Sequence, residues 1–318
     1  MDILRWLREH KMTIFAARVD GAVEYSTVNY GGRVAFVVGG TGVLGAEIVA
    51  RLVDRGWTVR ALARSIPSEQ ALANAGAAAV RGDLLDEGGG WREGLSAADL
   101  VVHAGLPRLS PPIRRLRVRR LTRRACDGAR SLVSAAATTP IVAASTALVE
   151  RGLALAGPAE TMEAELAAHP DVALVRLPWV YGASGPLAWV SQAIDARRYR
   201  IVGPGTNRWP LISAGDGAEA MLVAAALGSG TYVASEPDAP RQREFVEHLC
   251  AEGGTPIPDH VPGALASFSL GAPLAAAFAS DGRPEVSQAL VAEGWHPSHD
   301  WRKDLVRLTR PQAAPEEQ

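Results

Sequence analysis

The chain has 318 residues, of which 47% are hydrophobic and 21% charged, and a formal net charge of −1. That balance excludes a protein that grips nucleic acid by bulk electrostatics, and no apolar run approaches the roughly 18 residues of a membrane span. A cytoplasmic protein is expected, with a core large enough for one big α/β domain or two moderate ones. Two cysteines, Cys126 and Cys250, give neither metal-ligand spacing nor a disulfide framework, and the only lysines are Lys11 and Lys303.

Residues 1–31 read as an appendage. Residues 2–10 can form a short amphipathic helix, and Asp20-Gly21 between two β-prone runs is a two-residue hairpin signal. Charge interrupts the apolar residues, so a signal peptide is not indicated. Two readings stand for the segment: a native appendage, or a start placed upstream of a true one near Met12 or just before Gly31.

From Arg33 the pattern alternates between strand and helix. The run Arg33 to Gly40 is continuously apolar after its first residue, as in a buried parallel strand, and Gly45 to Gly56 carries Ile48, Val49, Leu52 and Val53 at helical spacing. Between them lies VVGGTGVLG, residues 37–45. Gly39, Gly42 and Gly45 permit a tight turn, close backbone approach to a pyrophosphate, and close packing of helix on strand; the first-turn amides then face the phosphates. Thr41, Val43 and Leu44 complete that loop. A second strand, residues 57–65, ends at Arg64, where an NAD-preferring site carries an acid, so a 2′-phosphate and hence NADP is favoured, with NAD as the alternative.

Further strands are predicted in AAAVRGDLLD, DLVVHAG and PIVAAST. With GGTGxxG, RLPWVYG and EGWHPS in that order, the chain resembles the extended short-chain dehydrogenase/reductases, the NAD-dependent epimerase/dehydratase family, from Gly32 to about Leu308. The resemblance implies a Rossmann-like α/β fold, a doubly wound parallel sheet over 32–176, followed by a smaller, mainly substrate-binding α/β region over 177–318. It puts Asp83 and Leu84 beside the adenine, Ala104 and Gly105 along the cofactor, and Pro178 near the nicotinamide.

The same resemblance exposes a gap. The family's proton-transfer set is a tyrosine, a lysine four residues later, a serine or threonine, and often an asparagine. Thr146 matches the hydroxyl position, with Ser145 beside it. Gly157 stands at the tyrosine position, Thr161 at the lysine and Ala125 at the asparagine, and the sequence contains no Tyr-x-x-x-Lys. The remaining candidates are Tyr181 as a proton donor and Glu150 as a general base, each with a plain alternative: a packing tyrosine and a surface glutamate. His103 reads as structural, and Asp216 as the cap of the helix ending at Leu227. Trp179, Trp189, Trp209 and Tyr181 suggest an apolar pocket for a hydrophobic ligand, or simply core.

Seven arginines fall between Arg114 and Arg124. Opposite the acidic helix of Glu160, Glu163 and Glu165, they suggest crossed pairing in a homodimer; binding of a phosphate, coenzyme A or carrier-protein partner, and plain solvation, are the alternatives. Three functions remain open: an NADP-dependent enzyme on a small metabolite, a specialised one included, reducing a carbonyl or epimerising or dehydrating; a cyclase, lyase or isomerase without net redox; and a non-catalytic NADP sensor.

Overall fold

The computed structural model describes residues 12–19 and 22–29, and residues 32–309 apart from 87 and 106–110. The helix expected over residues 2–10 and the turn at Asp20-Gly21 lie outside the described residues. The hairpin strands are present: β1 (Met12–Val19) and β2 (Ala22–Asn29) pair antiparallel with Val19 opposite Ala22, in a sheet of their own.

The main sheet starts at β3 (Val34–Val38), followed by α1 (Val43–Asp54), β4 (Thr58–Ala63), α2 (Ile66–Asn74), β5 (Ala78–Arg81), α3 (Trp91–Leu95) and β6 (Leu100–His103). Then come α4 (Arg115–Ala136), β7 (Ile141–Thr146), a 3₁₀ turn at Val149–Arg151, α5 (Gly157–Leu166) and β8 (Val172–Leu177). The later half contributes β9 (Trp179–Tyr181), α6 (Pro186–Asp195), β10 (Ile201–Val202), β11 (Leu211–Ser213), α7 (Ala214–Leu227) and β12 (Gly230–Val233). It ends with α8 (Gln242–Gly253), β13 (His260–Val261), α9 (Gly263–Leu270), α10 (Ala272–Ala279), α11 (Gln288–Ala292) and α12 (Trp301–Thr309).

Seven strands form one parallel sheet in the order β12-β8-β7-β6-β3-β4-β5. Alternation along each strand decides which helices cover which face. Ala35, Val37, Ala61, Val142 and Val175 pack under α1, α2 and α7, whose Ile48, Leu52, Leu72 and Met221 are buried. Phe36, Leu62, Val101, Ala143 and Leu174 point the other way, onto Trp91, Leu132, Met162 and Leu166 of α3, α4 and α5. With both faces covered, the central strands β3, β6 and most of β7 are apolar, as their sequences predict. Each fully buried Ile or Leu contributes about 1.5–3 kcal/mol. The expected boundary near residue 176 is crossed by the chain, because α7 and β12 return to finish the main sheet.

The second core belongs to the later half. Trp209, Tyr181, Tyr199, Phe245 and Phe278 are buried there with Leu187 and Ile201. Trp179 and Trp209 lie 5.8 Å apart, and both pack on Phe278, at 5.4 and 5.1 Å. These rings pack on one another as part of a core, as the plain alternative has it.

Two buried carboxylates fasten the C-terminal segment. Ser213, rather than Asp216, caps α7, its hydroxyl accepting the Asp216 amide at 2.9 Å. Asp216 instead accepts hydrogen bonds from the backbone amides of Ser298 and His299, both at 3.0 Å, and from the Ser298 hydroxyl at 2.7 Å. Burial pushes its carboxyl up, but these bonds outweigh burial and leave it below the usual carboxylate range. Glu236 accepts the Trp301 amide at the start of α12, at 3.0 Å. Burial dominates there and raises the Glu236 carboxyl to about 7.

A carboxyl raised from the normal range to about 7 stabilises the fold when protonated, and that contribution is lost as pH rises from about 4.5 through 7. In Glu236→Gln, which keeps an acceptor for Trp301, denaturant unfolding at pH 5.5 and pH 8 should therefore differ less than in the unaltered protein, by about 1 kcal/mol or more. An identical pH dependence in both proteins would contradict the assignment.

Candidate functional site

The strand order reverses between β3 and β6, and a crevice forms at such a switch point beyond the carboxyl ends of the strands. Here the two strand ends nearly touch. A Cβ on Gly39 would lie 2.6 Å from the Gly105 Cα and 2.9 Å from the Ala104 carbonyl carbon, and Gly39 has φ +85°. A Cβ on Gly45 would collide with the Gly39 carbonyl oxygen. Gly42 donates its amide to that same oxygen at 2.9 Å and occupies the cap position of α1 without a side chain. No acidic residue stands in the first turn of α1. The helix start formed by Val43, Leu44 and Gly45 thus presents backbone amides with no competing anion, beside a loop that side chains would block. That cradle fits a dinucleotide pyrophosphate.

Thr41, Arg64, Asp83 and Leu84, and Ala104 and Gly105 follow the carboxyl ends of β3, β4, β5 and β6 in turn. Thr41 is exposed at the loop tip, Leu84 and Ala104 are buried, Gly105 is half-buried, and Arg64 is exposed immediately after β4. Asp83 accepts the Leu85 amide at 3.1 Å, fixing its own turn, and pairs with Arg124 of α4 at 3.3 Å. His103 at the end of β6 is 7% exposed, and burial lowers it to about 4, so it is neutral near pH 7. This agrees with a structural role.

Beyond the carboxyl ends of β7, β8 and β12 opens a cavity of about 300 Å³. Ala147, Glu150, Arg151, Pro178, Val233 and Ser235 line it on the sheet side, and Asp281, Gly282, Arg283 and Glu285 line the other. Glu150 and Pro178, selected from sequence for different reasons, are therefore brought together. The Glu150 carboxylate is held by Arg176 Nη1 at 3.0 Å. Arg176 in turn donates to buried Glu163 through Nε at 3.0 Å and Nη2 at 2.7 Å, and Ser145 donates to the same carboxylate. The chain Ser145–Glu163–Arg176–Glu150 runs from under α5 to the cavity wall, and sequence patterning gives no hint of it. Thr146 Oγ1 accepts the Leu148 amide at 3.3 Å, which turns the chain into the Glu150 loop.

Tyr181 is not brought to this cavity. It is fully buried in the second core, where its phenol interacts with the Glu236 carboxyl, although neither Tyr181 Oη nor Glu236 Oε1 completes a well-formed hydrogen bond among the described residues. Burial, reinforced by Glu236, raises the phenol far above its ordinary value. The plain alternative, a packing tyrosine, describes it. At the position matched to the family tyrosine, a Cβ on Gly157 would lie 3.3 Å from Thr122 Oγ1 of α4.

The acidic helix is largely occupied within its own chain. Glu165 pairs with Arg130 through bonds of 2.8 Å each and accepts the Cys126 thiol at 3.3 Å, while Glu163 is committed to Arg176. Of the three acids expected to cross to a second subunit, only Glu160 stays exposed. No helix among the described residues is long and apolar enough to cross a membrane, and no metal-binding group of His, Cys, Asp and Glu occurs among them.

Comparison with known proteins agrees with this architecture. The model of the NmrA-like family matches residues 33–156. Over 68 residues the chain is 40% identical to the decarboxylating sterol-4-alpha-carboxylate 3-dehydrogenase of Dictyostelium discoideum, a stretch covering 21% of this chain and 20% of that protein. The chain thus matches about a fifth of that relative's length. Among solved structures, the human epimerase family protein SDR39U1 (isoform 2) with NADPH superposes with a TM-score of 0.70 at 18% identity, over 87% of this chain and 99% of that one. UDP-glucose 4-epimerase from Bifidobacterium longum, in complex with NAD+ and UDP, gives 0.69 at 17%, over 87% and 96%. The chain has the Rossmann-like fold of the epimerase and short-chain dehydrogenase proteins, as its motifs implied.

Proposed function

We propose that the protein is an NADP-binding enzyme of the epimerase/dehydratase kind that acts on a small molecule. The carrying observation is the cradle at Gly39, Gly42 and Gly45, closed against Gly105 and capped by an α-helix start free of acids. The solved relatives with NADPH or NAD+ support a nicotinamide cofactor. In this reading the α1 amides hold the pyrophosphate, Asp83 and Leu84 border the adenine, and Ala104, Gly105 and Pro178 line the path to the nicotinamide. Bound there, the cofactor supplies or takes a hydride.

Arg64 sets cofactor choice: it stands exposed just beyond β4, where a guanidinium meets a 2′-phosphate. Calorimetric titration should show NADPH bound more tightly than NADH, with Arg64→Asp narrowing or reversing the gap. Equal affinities in the unaltered protein would contradict the assignment.

Proton transfer falls to groups other than a tyrosine and lysine. Glu150 lies in the cavity wall, its carboxylate oriented by Arg176 at 3.0 Å, and a carboxylate can accept a proton. Thr146 at the end of β7 accepts the Leu148 amide and so retains its hydroxyl proton to donate to a substrate oxygen. Acid/base chemistry without net redox is the second reading, favoured by a carboxylate standing in the cavity while Tyr181 is sealed away. Glu150→Gln should cost about 10² in turnover, the usual scale for a lost general base, with NADPH affinity unchanged. Tyr181→Phe should retain turnover within a few-fold. Turnover followed by both NADPH absorbance and product mass spectrometry separates the two readings, and a fully active Glu150→Gln would remove Glu150 from either.

A further inference from the structure

The arginines that open α4 take no part in the cofactor crevice or the polar cavity, apart from Arg124 with its bond to Asp83. Between Asp99 and Asp127 the sequence has no aspartate or glutamate, and Arg114, Arg115, Arg119, Arg120 and Arg123 are all exposed. None of these five has a hydrogen-bond or ion-pair partner among the described residues. Leu116, Arg120 and Arg123, at i, i+4 and i+7, share the outer face of the helix, while Val118, Ala129 and Leu132 are buried beneath it. Because the chain enters α4 after leaving the carboxyl end of β6, the arginines occupy the half of the helix nearest the edge of the sheet that carries the glycine loop.

The start of α4 is joined to the end of α9. The Ile113 amide donates to the Leu270 carbonyl at 2.7 Å, and a Cβ on Gly271 would collide with the Ile113 carbonyl oxygen, so the two segments touch backbone to backbone. α9 buries Ala266 and Leu270 and turns Leu265 and Phe268, at i and i+3, outward, 57% and 82% exposed. Leu116 is 68% exposed. Residues 260–280 again contain no aspartate or glutamate. Three large apolar side chains therefore project on either side of one junction, among unpaired guanidiniums and on segments without a single acid.

We propose that the first half of α4 and the outer face of α9 dock the protein on the surface of an anionic lipid bilayer, with the arginines at the headgroup phosphates and Phe268, Leu265 and Leu116 entering the interface. A cluster of about four to eight basic residues beside exposed Leu and Phe is the pattern by which a protein lies on a membrane without spanning it. A second copy of the chain fits this face less well: it would set arginine against arginine, and Glu163 and Glu165 of α5 are already engaged by Arg176 and Arg130. An acidic protein would answer the arginines, but a phenyl ring standing 82% clear of its own chain is enveloped more fully by a fluid interface than by a rigid one. Docking brings the carboxyl edge of the sheet close to the headgroups. The proposal goes beyond the enzyme reading and does not depend on it.

The test is co-sedimentation of the full-length protein with vesicles of phosphatidylcholine alone and of phosphatidylcholine mixed equally with phosphatidylglycerol, without added cofactor. The protein should sediment with the mixed vesicles and stay in solution with the neutral ones, and binding should weaken as salt is raised. Replacing Arg119, Arg120 and Arg123 by Gln should lower the partition coefficient about fivefold for each arginine removed. Phe268→Ser should lower it about tenfold and leave the salt dependence unchanged. All four side chains are exposed, so the thermal midpoints of the variants should match that of the unaltered protein. Equal sedimentation with both kinds of vesicle, no sedimentation with either, or undiminished binding by the arginine variant or by Phe268→Ser overturns the proposal. Binding of polyglutamate by a protein that ignores the mixed vesicles overturns it in favour of an acidic protein partner.

Discussion

Everything in this molecule that points to a cofactor depends on how closely three backbone segments approach at the switch point of the sheet. Gly45 lies against the Gly39 carbonyl, and Gly39 lies against Ala104 and Gly105. Each approach excludes a Cβ, so the chain can hold α1 over the crevice only with glycine at these positions. The consequence is electrostatic as well as steric. With α1 drawn in, its uncapped first turn and the positive end of its dipole face the gap between β3 and β6, where an anion gains most.

From that constraint the site unfolds along the sheet. The parallel register sets the ends of β7, β8 and β12 on the same edge as the glycine loop, so Thr146, Pro178 and Ser235 arrive near one another from positions far apart in sequence. Buried polar contacts then set the orientation of the catalytic candidates. Glu163 under α5 fixes Arg176, and Arg176 fixes Glu150. Such a network is costly unless each member is paired, and here Ser145 supplies the remaining donor to Glu163. On the other side, Asp216 and Glu236 dock the C-terminal segment against the second core that buries Tyr181.

What could be read from sequence follows the range of the interactions involved. The strand, glycine loop and helix of residues 34–54 were legible because periodicity and turn chemistry are local, and the hairpin of β1 and β2 for the same reason. The absence of a Tyr-x-x-x-Lys was legible because only two lysines exist. Tyr181 was ambiguous: a motif position says nothing of which side of a strand a phenol occupies, and burial decided it. The aromatic residues suggested a ligand pocket, yet side-chain packing alone determines whether four rings line a cavity or fill it. The polar cavity was not legible at all, since Glu150 and Arg283 are 133 residues apart and come to line one cavity only in the folded chain. Asp216 was placed on the right helix with the wrong partner, because its true partners at Ser298 and His299 lie more than 80 residues downstream.

The central claim is spatial: a nicotinamide cofactor seated on the Gly39–Gly45 loop would extend along Ala104 and Gly105 until its reactive ring forms a wall of the polar cavity. A crystal structure of the complex with NADPH tests this most directly. The account predicts the pyrophosphate on the amides of α1 and the nicotinamide C4 open to the space between Glu150 and Arg283. Cofactor bound elsewhere, or a nicotinamide ring walled off from that space, would contradict it.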